Sequence, residues 1–211
     1  MGSEMCIRDS RMIFESRPVR EVLMKVTNAM FVGEVLQFQC REKFDLDEET
    51  YMEIIAGKTA AIMSACCQLG ALAAGEPSRC ETLGAFGLEF GMAFQIRDDL
   101  LDIIADQSKL GKALGSDLRD ARMTLPLIHC AKNSSREDRR FLKSMFGLNG
   151  GSRVDIKRVR EITRNAGSVS FCMEKARSLA RKATSRLDEF DDSRYKTALA
   201  DLCRFAVERE Y

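Results

Sequence analysis

Asp98, Asp99 and Asp102 follow Gln95 closely in the segment Phe94-Gln95-Ile96-Arg97-Asp98-Asp99-Leu100-Leu101-Asp102. At about 100° per residue on a helix, Gln95 and the three aspartates fall within an arc of roughly 100°. The rest of that circumference is largely apolar, with Phe90, Met92, Ala93, Phe94, Ile96, Leu100, Leu101, Ile103 and Ile104, the pattern of a buried helix. Burying carboxylates unpaired costs several kcal/mol each, so the stripe must face a wet cavity or a counter-charge, unless it lies on an edge helix facing solvent. Arg97, on the otherwise apolar side, is expected to mark an exposed or interface edge.

Hard oxygen donors with no histidine beside them suit Mg2+ rather than zinc or copper, and His129 is the only histidine in the chain. Mg2+ keeps several waters and is held by one or two carboxylates together with substrate phosphates. The stripe therefore suits a metal–diphosphate site better than an all-protein cage. Lys58 lies on the preceding helix, Lys112 lies just after the stripe, and Asp117 and Arg122 follow. A lysine ammonium is a compact charge for phosphate oxygens. Singly, each is an ordinary surface charge; their conjunction with the stripe carries the argument. Gly57-Lys58-Thr59 imitates the end of a nucleotide-binding P-loop, but Met52 stands where the first glycine is needed and the context is helical.

The elements that must position these groups are helical. Period-2 alternation is missing and only three prolines punctuate the 211 residues. The spacing predicts a first helix from Pro18 to about Arg41. A second is capped by Asp45 or Asp47 and runs through Lys58 to about Ala74. A third opens at Pro77-Ser78 and reaches about Asp106. A glycine-bearing loop from Gln107 to Asp120 follows, then Leu125 to Ala131, a helix from Ser135 to about Phe146, and a turn at Asn149 to Ser152. Helices over Val154 to Asn165, Ser168 to Glu189 and Ser193 to Glu208 complete an all-α chain. Met1 to Ser10 shows no periodicity and is set apart with residue 11 as a non-native or disordered leader, leaving 12–211 as part of one domain.

Composition excludes several alternatives. The 33 basic and 32 acidic residues give a net charge of +1, which argues against capture of nucleic acid or of an anionic membrane. No run reaches the roughly 18 apolar residues of a spanning helix, so no transmembrane segment is expected. The eight cysteines are scattered, with no C-x-x-C pair, and read as reduced, packed thiols of a cytoplasmic protein.

Taken in order, Gly33-Glu34-Val35-Leu36-Gln37, Gly57-Lys58-Thr59-Ala60, Phe94-Gln95-x-x-Asp98-Asp99-x-x-Asp102, Leu110-Gly111-Lys112, Gly115-Ser116-Asp117 and Thr124-Leu125-Pro126-Leu127 resemble the trans-type polyprenyl diphosphate synthase family, from its middle helices to its C-terminus. The ending Arg204-Phe205-Ala206-Val207-Glu208-Arg209 resembles the long-chain, octaprenyl-like members. The resemblance implies an isoprenoid-synthase-type helical bundle and Mg2+-dependent head-to-tail condensation of isopentenyl diphosphate with an allylic diphosphate. It implies that Asp98, Asp99 and Asp102 serve the metal, directly or through water. Lys58 and Lys112 would hold the allylic diphosphate. Thr59 and Gln95 would face the developing carbocation. Gln37 matches a polar cavity position, and Arg122 stands where the family usually has lysine. Homodimerisation is implied for the full-length form.

The family carries a second, earlier DDxxD motif with adjacent arginines, and this sequence contains none. An N-terminally truncated synthase with little activity of its own is therefore expected, with apolar cavity-facing surface left exposed. The alternatives are a non-catalytic regulatory subunit of a heteromeric synthase, or a relative of the terpene cyclases.

Overall fold

The structure, a computed structural model, describes residues 16–105, 114–147 and 154–209. The leader, Gly111, Lys112 and the turn at Asn149 to Ser152 lie outside the described residues. Among the described residues every regular element is helical and none is a strand.

Helix α1 (Arg17–Cys40) opens with proline in its first turn. Helix α2 (Glu48–Ile55) is capped by Asp47, whose carboxylate accepts from the Thr50 amide at 2.8 Å, satisfying an otherwise orphaned donor. The chain then makes one π-helical turn, Ala56–Ala60, and continues as α3 (Ala61–Ala73). A 3-10 turn at Pro77–Arg79 leads into the longest helix, α4 (Cys80–Ile104). Short α5 (Ser116–Arg119), α6 (Leu125–Asn133), α7 (Arg136–Met145), α8 (Ile156–Asn165), α9 (Ser168–Arg186) and α10 (Arg194–Glu208) follow.

Helix α4 is the axis of the bundle. It packs against α3 on one side and α9 on another, and α10 and α6 also lie against it. Ile96, Leu100 and Ile103 of α4 are fully buried with Leu125, Leu127, Val159 and Ile162, each contributing about 1.5–3 kcal/mol by leaving water. Close backbone approach fixes the other side of the bundle. A Cβ on Gly33 would sit 2.6 Å from the Lys58 amide nitrogen, and one on Gly57 would sit 2.8 Å from the Ala29 carbonyl oxygen. Only glycine at both positions lets α1 lie directly on the π turn.

One expectation is sharpened and another is overturned. The uninterrupted stretch Glu48–Ala73 is long and apolar enough, by length and composition, to cross a membrane. Here it is a bundle helix: Tyr51, Ile54, Ile55 and Ala60 are buried in the core, and its π turn packs on α1 and α4. Arg97 does not mark an exposed edge. It is buried, and its guanidinium donates to the Arg209 carbonyl oxygen and the Met173 sulfur. The seven described cysteines are free thiols. Burial pushes Cys67 and Cys130 up to about 11, so both stay protonated as packing groups. The outer face of α1 leaves Met24, Phe31, Val32 and Phe38 exposed.

Candidate active site

The π turn is the local device that places Lys58 and Thr59. A π turn inserts one residue into the helical ladder and rotates the side chains beyond it. It lies between α1 and α4. The result is a cavity of about 210 Å3 into which α1 projects Gln37, the π turn Lys58 and Thr59, and α4 Gln95, Asp98, Asp99 and Asp102. Ser116, Asp117 and Arg122 close the opposite wall. Eight of the nine residues singled out from the sequence thus share one cavity, and Lys112 lies outside the described residues.

The three aspartates are not equivalent. Asp99 is almost fully buried and both its oxygens are taken: the Tyr51 hydroxyl donates to Oδ2 at 2.7 Å and the Gln95 amide donates to Oδ1 at 2.7 Å. Asp102 accepts from the Ser116 hydroxyl at 2.9 Å and the Asp117 amide at 3.1 Å. Asp98 alone keeps a half-exposed side chain, with one long contact of 3.5 Å from Arg209 to Oδ1. A metal in this cavity therefore finds one carboxylate with an uncommitted oxygen. Among the described residues no three His, Cys, Asp or Glu side chains converge as a ready cage. That donor set fits Mg2+, which accepts one protein carboxylate and fills its remaining positions with water and phosphate oxygens, and it does not fit a structural zinc site.

Gln95 is held in one orientation. Its carbonyl oxygen accepts from the Thr59 hydroxyl at 2.9 Å while its amide donates to Asp99. With its proton engaged, Thr59 turns oxygen lone pairs toward the cavity. Lys58 donates to Gln37 Oε1 at 2.6 Å and pairs with Glu34 Oε2 at 2.9 Å. Two of its three N–H donors are occupied on the α1 side and the third remains for a ligand. Arg122 bridges Asp117 and Asp120, both at 3.0 Å, so it neutralises the acidic wall before it meets any substrate.

Electrostatics follow from this crowding. Burial, and then the charge of Asp117, push the Asp99 carboxyl well above the usual carboxylate range, against the donors from Tyr51 and Gln95. Burial and the charge of Asp102 push Asp117 up to about 7, against Arg122. Burial, then the charge of Asp99, push the Tyr51 phenol up as well.

The sequence reading gave no role to four residues at or behind this cavity: Tyr51 and Arg41, and Thr124 and Arg209, which it named only within longer motifs. Tyr51 stands seven and eight positions before Lys58 and Thr59, two helical turns away on the same face, a spacing that could have flagged it. Arg41 lines the cavity and donates to the Asp120 carbonyl oxygen at 3.2 Å. Thr124 lines it with a buried hydroxyl that has no partner among the described residues.

Comparison with known proteins identifies the family. The family model for polyprenyl synthetases matches residues 4–163. The all-trans-nonaprenyl-diphosphate synthase (geranyl-diphosphate specific) of Rhodobacter capsulatus is 36% identical over 177 residues, covering 84% of this chain and 54% of that protein. The octaprenyl diphosphate synthase of Escherichia coli is 34% identical over 196 residues, covering 92% and 60%. The polyprenyl synthase of Caulobacter crescentus, solved with calcium and isoprenyl diphosphate, superposes with a TM-score of 0.87 at 32% identity, covering 93% of this chain and 60% of that one. The chain thus spans little more than half the length of these relatives. Helix for helix, and across most of its own sequence, the chain belongs to the polyprenyl synthetase family.

Proposed function

We propose that this chain carries the allylic half of a prenyltransferase site, which ionises an allylic diphosphate for attack by the double bond of isopentenyl diphosphate. The observation that carries the reading is the convergence of Lys58, Thr59, Gln95 and Asp98 on one cavity, with Asp98 the only aspartate of its motif holding a half-free carboxylate.

In this reading, the free N–H of Lys58 meets the departing diphosphate and stabilises the charge that develops on it, while Arg122, paired with Asp117 and Asp120, offsets the acidic wall that the diphosphate approaches. Asp98 would hold Mg2+, which would supply Lewis-acid polarisation of the same oxygens. Thr59, its proton committed to Gln95, presents lone pairs to the allylic carbon as it becomes cationic. Asp99 keeps Gln95 from rotating, so that this polarity is set before substrate arrives, and nothing must reorganise during the reaction. The new C–C bond forms between the allylic carbon and the terminal alkene carbon of isopentenyl diphosphate, and a proton then leaves the resulting cation. No protein nucleophile takes part.

The sequence holds one DDxxD motif, so only one side of the diphosphate has its protein carboxylates here. We infer that the chain by itself binds Mg2+-pyrophosphate but turns over little, and that homodimerisation belongs to the complete enzyme. Calorimetry with sodium pyrophosphate, with and without MgCl2, tests the reading. Mg2+-dependent binding of one equivalent that is lost in Asp98→Asn supports it. Absence of any Mg2+-dependent heat from the folded protein would overturn it. A prenyl-transfer assay with labelled isopentenyl diphosphate separates the half-site from a complete one, since turnover at the rate of a full-length synthase is incompatible with a half-site.

A further inference from the structure

The end of α10 is clamped onto one turn of α4. The Arg209 guanidinium lies over the Phe94 ring, 3.9 Å from its centroid, and donates to the Phe94 carbonyl oxygen at 3.2 Å. Its backbone carbonyl oxygen accepts from Arg97 Nε at 3.0 Å. The same guanidinium reaches Asp98 Oδ1 at 3.5 Å. Phe94, Arg97 and Asp98 are one turn of one helix, so all three contacts fix the chain end at the height of the exposed aspartate. Asp98 lines the cavity and Arg209 does not.

A latch that needed only packing would not require a guanidinium there. The Arg209 side chain is 10% exposed, and its Nε is buried without a partner among the described residues. Removing a guanidinium from water is unfavourable unless an opposite charge compensates. Among the described residues the carboxylate that reaches it is Asp98. An apolar side chain could cover Phe94 without that penalty. Besides its contacts with the Phe94 ring and carbonyl, the cation supplies a hold on Asp98 from outside the cavity.

We propose that Arg209 is a positioning residue for Asp98, holding Oδ1 from outside the cavity so that Oδ2 is presented to the metal. The inference rests on the metal–diphosphate reading given above. It makes the last turn of the chain part of the metal site although no atom of that turn enters the cavity. Outer partners of a metal-bound carboxylate set its orientation, and their loss typically weakens metal affinity about ten- to a hundredfold.

The test is calorimetric titration of the intact chain with MgCl2 at fixed sodium pyrophosphate, on wild type, Arg209→Met and Arg209→Lys, beside titration with sodium pyrophosphate alone. Methionine keeps an unbranched apolar stem over Phe94 while removing the charge. The expected result is that Arg209→Met weakens the Mg2+-dependent binding at least about tenfold and leaves pyrophosphate binding without Mg2+ unchanged. Arg209→Lys recovers most of the loss. A purely structural latch would instead lower pyrophosphate affinity equally with and without Mg2+. An unchanged Mg2+ titration in Arg209→Met, or equal losses with and without Mg2+, overturns the proposal and leaves the metal–diphosphate reading standing. Absence of Mg2+-dependent binding in wild type overturns both. Should Arg209→Met lower the melting midpoint, the comparison of Arg209→Lys with wild type decides at a temperature where both are folded.

Discussion

The Tyr51 hydroxyl donates to Asp99 Oδ2 at 2.7 Å, joining α2 to α4 inside the core. Through the other oxygen of Asp99 this contact continues to Gln95 and then to Thr59. One buried phenol thus stands at the root of the polar chain that ends at the cavity surface.

Tyr51→Phe removes a donor from a buried carboxylate while keeping the ring volume. Leaving one acceptor of Asp99 unsatisfied is expected to lower unfolding stability by about 1–3 kcal/mol. Urea denaturation should show a lower midpoint at an unchanged slope. A midpoint equal to wild type would mean that Tyr51 does not hold Asp99 in solution.

The aspartates should separate by function. Asp98→Asn is expected to remove Mg2+-dependent pyrophosphate binding while lowering the melting midpoint by only a few degrees, since the amide oxygen can still accept from Arg209 although it no longer offsets that charge. Asp102→Asn is expected to cost about 1–3 kcal/mol, because an amide cannot replace both acceptors facing Ser116 and the Asp117 amide. Thermal unfolding and calorimetry on the same preparations distinguish the two.

Asp117 gives a pH dependence of defined sign. Its carboxyl is raised to about 7 from 3.8, so between these values the folded chain holds a proton that the unfolded chain has released. Its contribution to stability is fully present below about pH 4 and is lost as pH rises through 7. In metal-free buffer the melting midpoint should therefore fall more steeply between pH 5 and pH 8 for wild type than for Asp117→Asn. Parallel profiles would remove Asp117 as the cause.

Gly33→Ala tests the contact between α1 and the π turn. A methyl group 2.6 Å from the Lys58 amide nitrogen must push the two backbones apart, at a cost of about 1–3 kcal/mol. Because the displaced residue is Lys58, pyrophosphate affinity should fall together with stability. Gly70→Ala, where a methyl would meet nothing, serves as the control and should be neutral or slightly stabilising.

The exposed apolar face of α1 predicts self-association. Phe31 and Phe38 are 69% and 75% exposed, and contiguous apolar surface of this kind draws partners together. Sedimentation at increasing concentration should show oligomers, and Phe31→Asp/Phe38→Asp should shift the population toward monomer. A concentration-independent monomer in wild type rules this out.

The sequence by itself determined what depends on local spacing. Helical periodicity fixed α1, α4, α9 and α10 nearly to their ends. It put Gln95, Asp98, Asp99 and Asp102 on one face, because 100° per residue leaves those positions no other arrangement. The order of the short motifs was enough to indicate the family. The π turn at Ala56–Ala60 was not legible, because a shift from one backbone acceptor to the next leaves no mark on hydrophobic spacing. Nor could spacing say which carboxylate stays free. Asp99 is claimed by a tyrosine from another helix, Asp102 by the segment beyond the 106–113 stretch, and Asp98 is held by an arginine at the far end of the chain. Those partners meet only when α2, α4 and α10 pack, since their separation along the sequence carries no information about which donors reach which oxygen. Chemistry at this cavity was therefore written locally as three aspartates, and tertiary packing made one of them available.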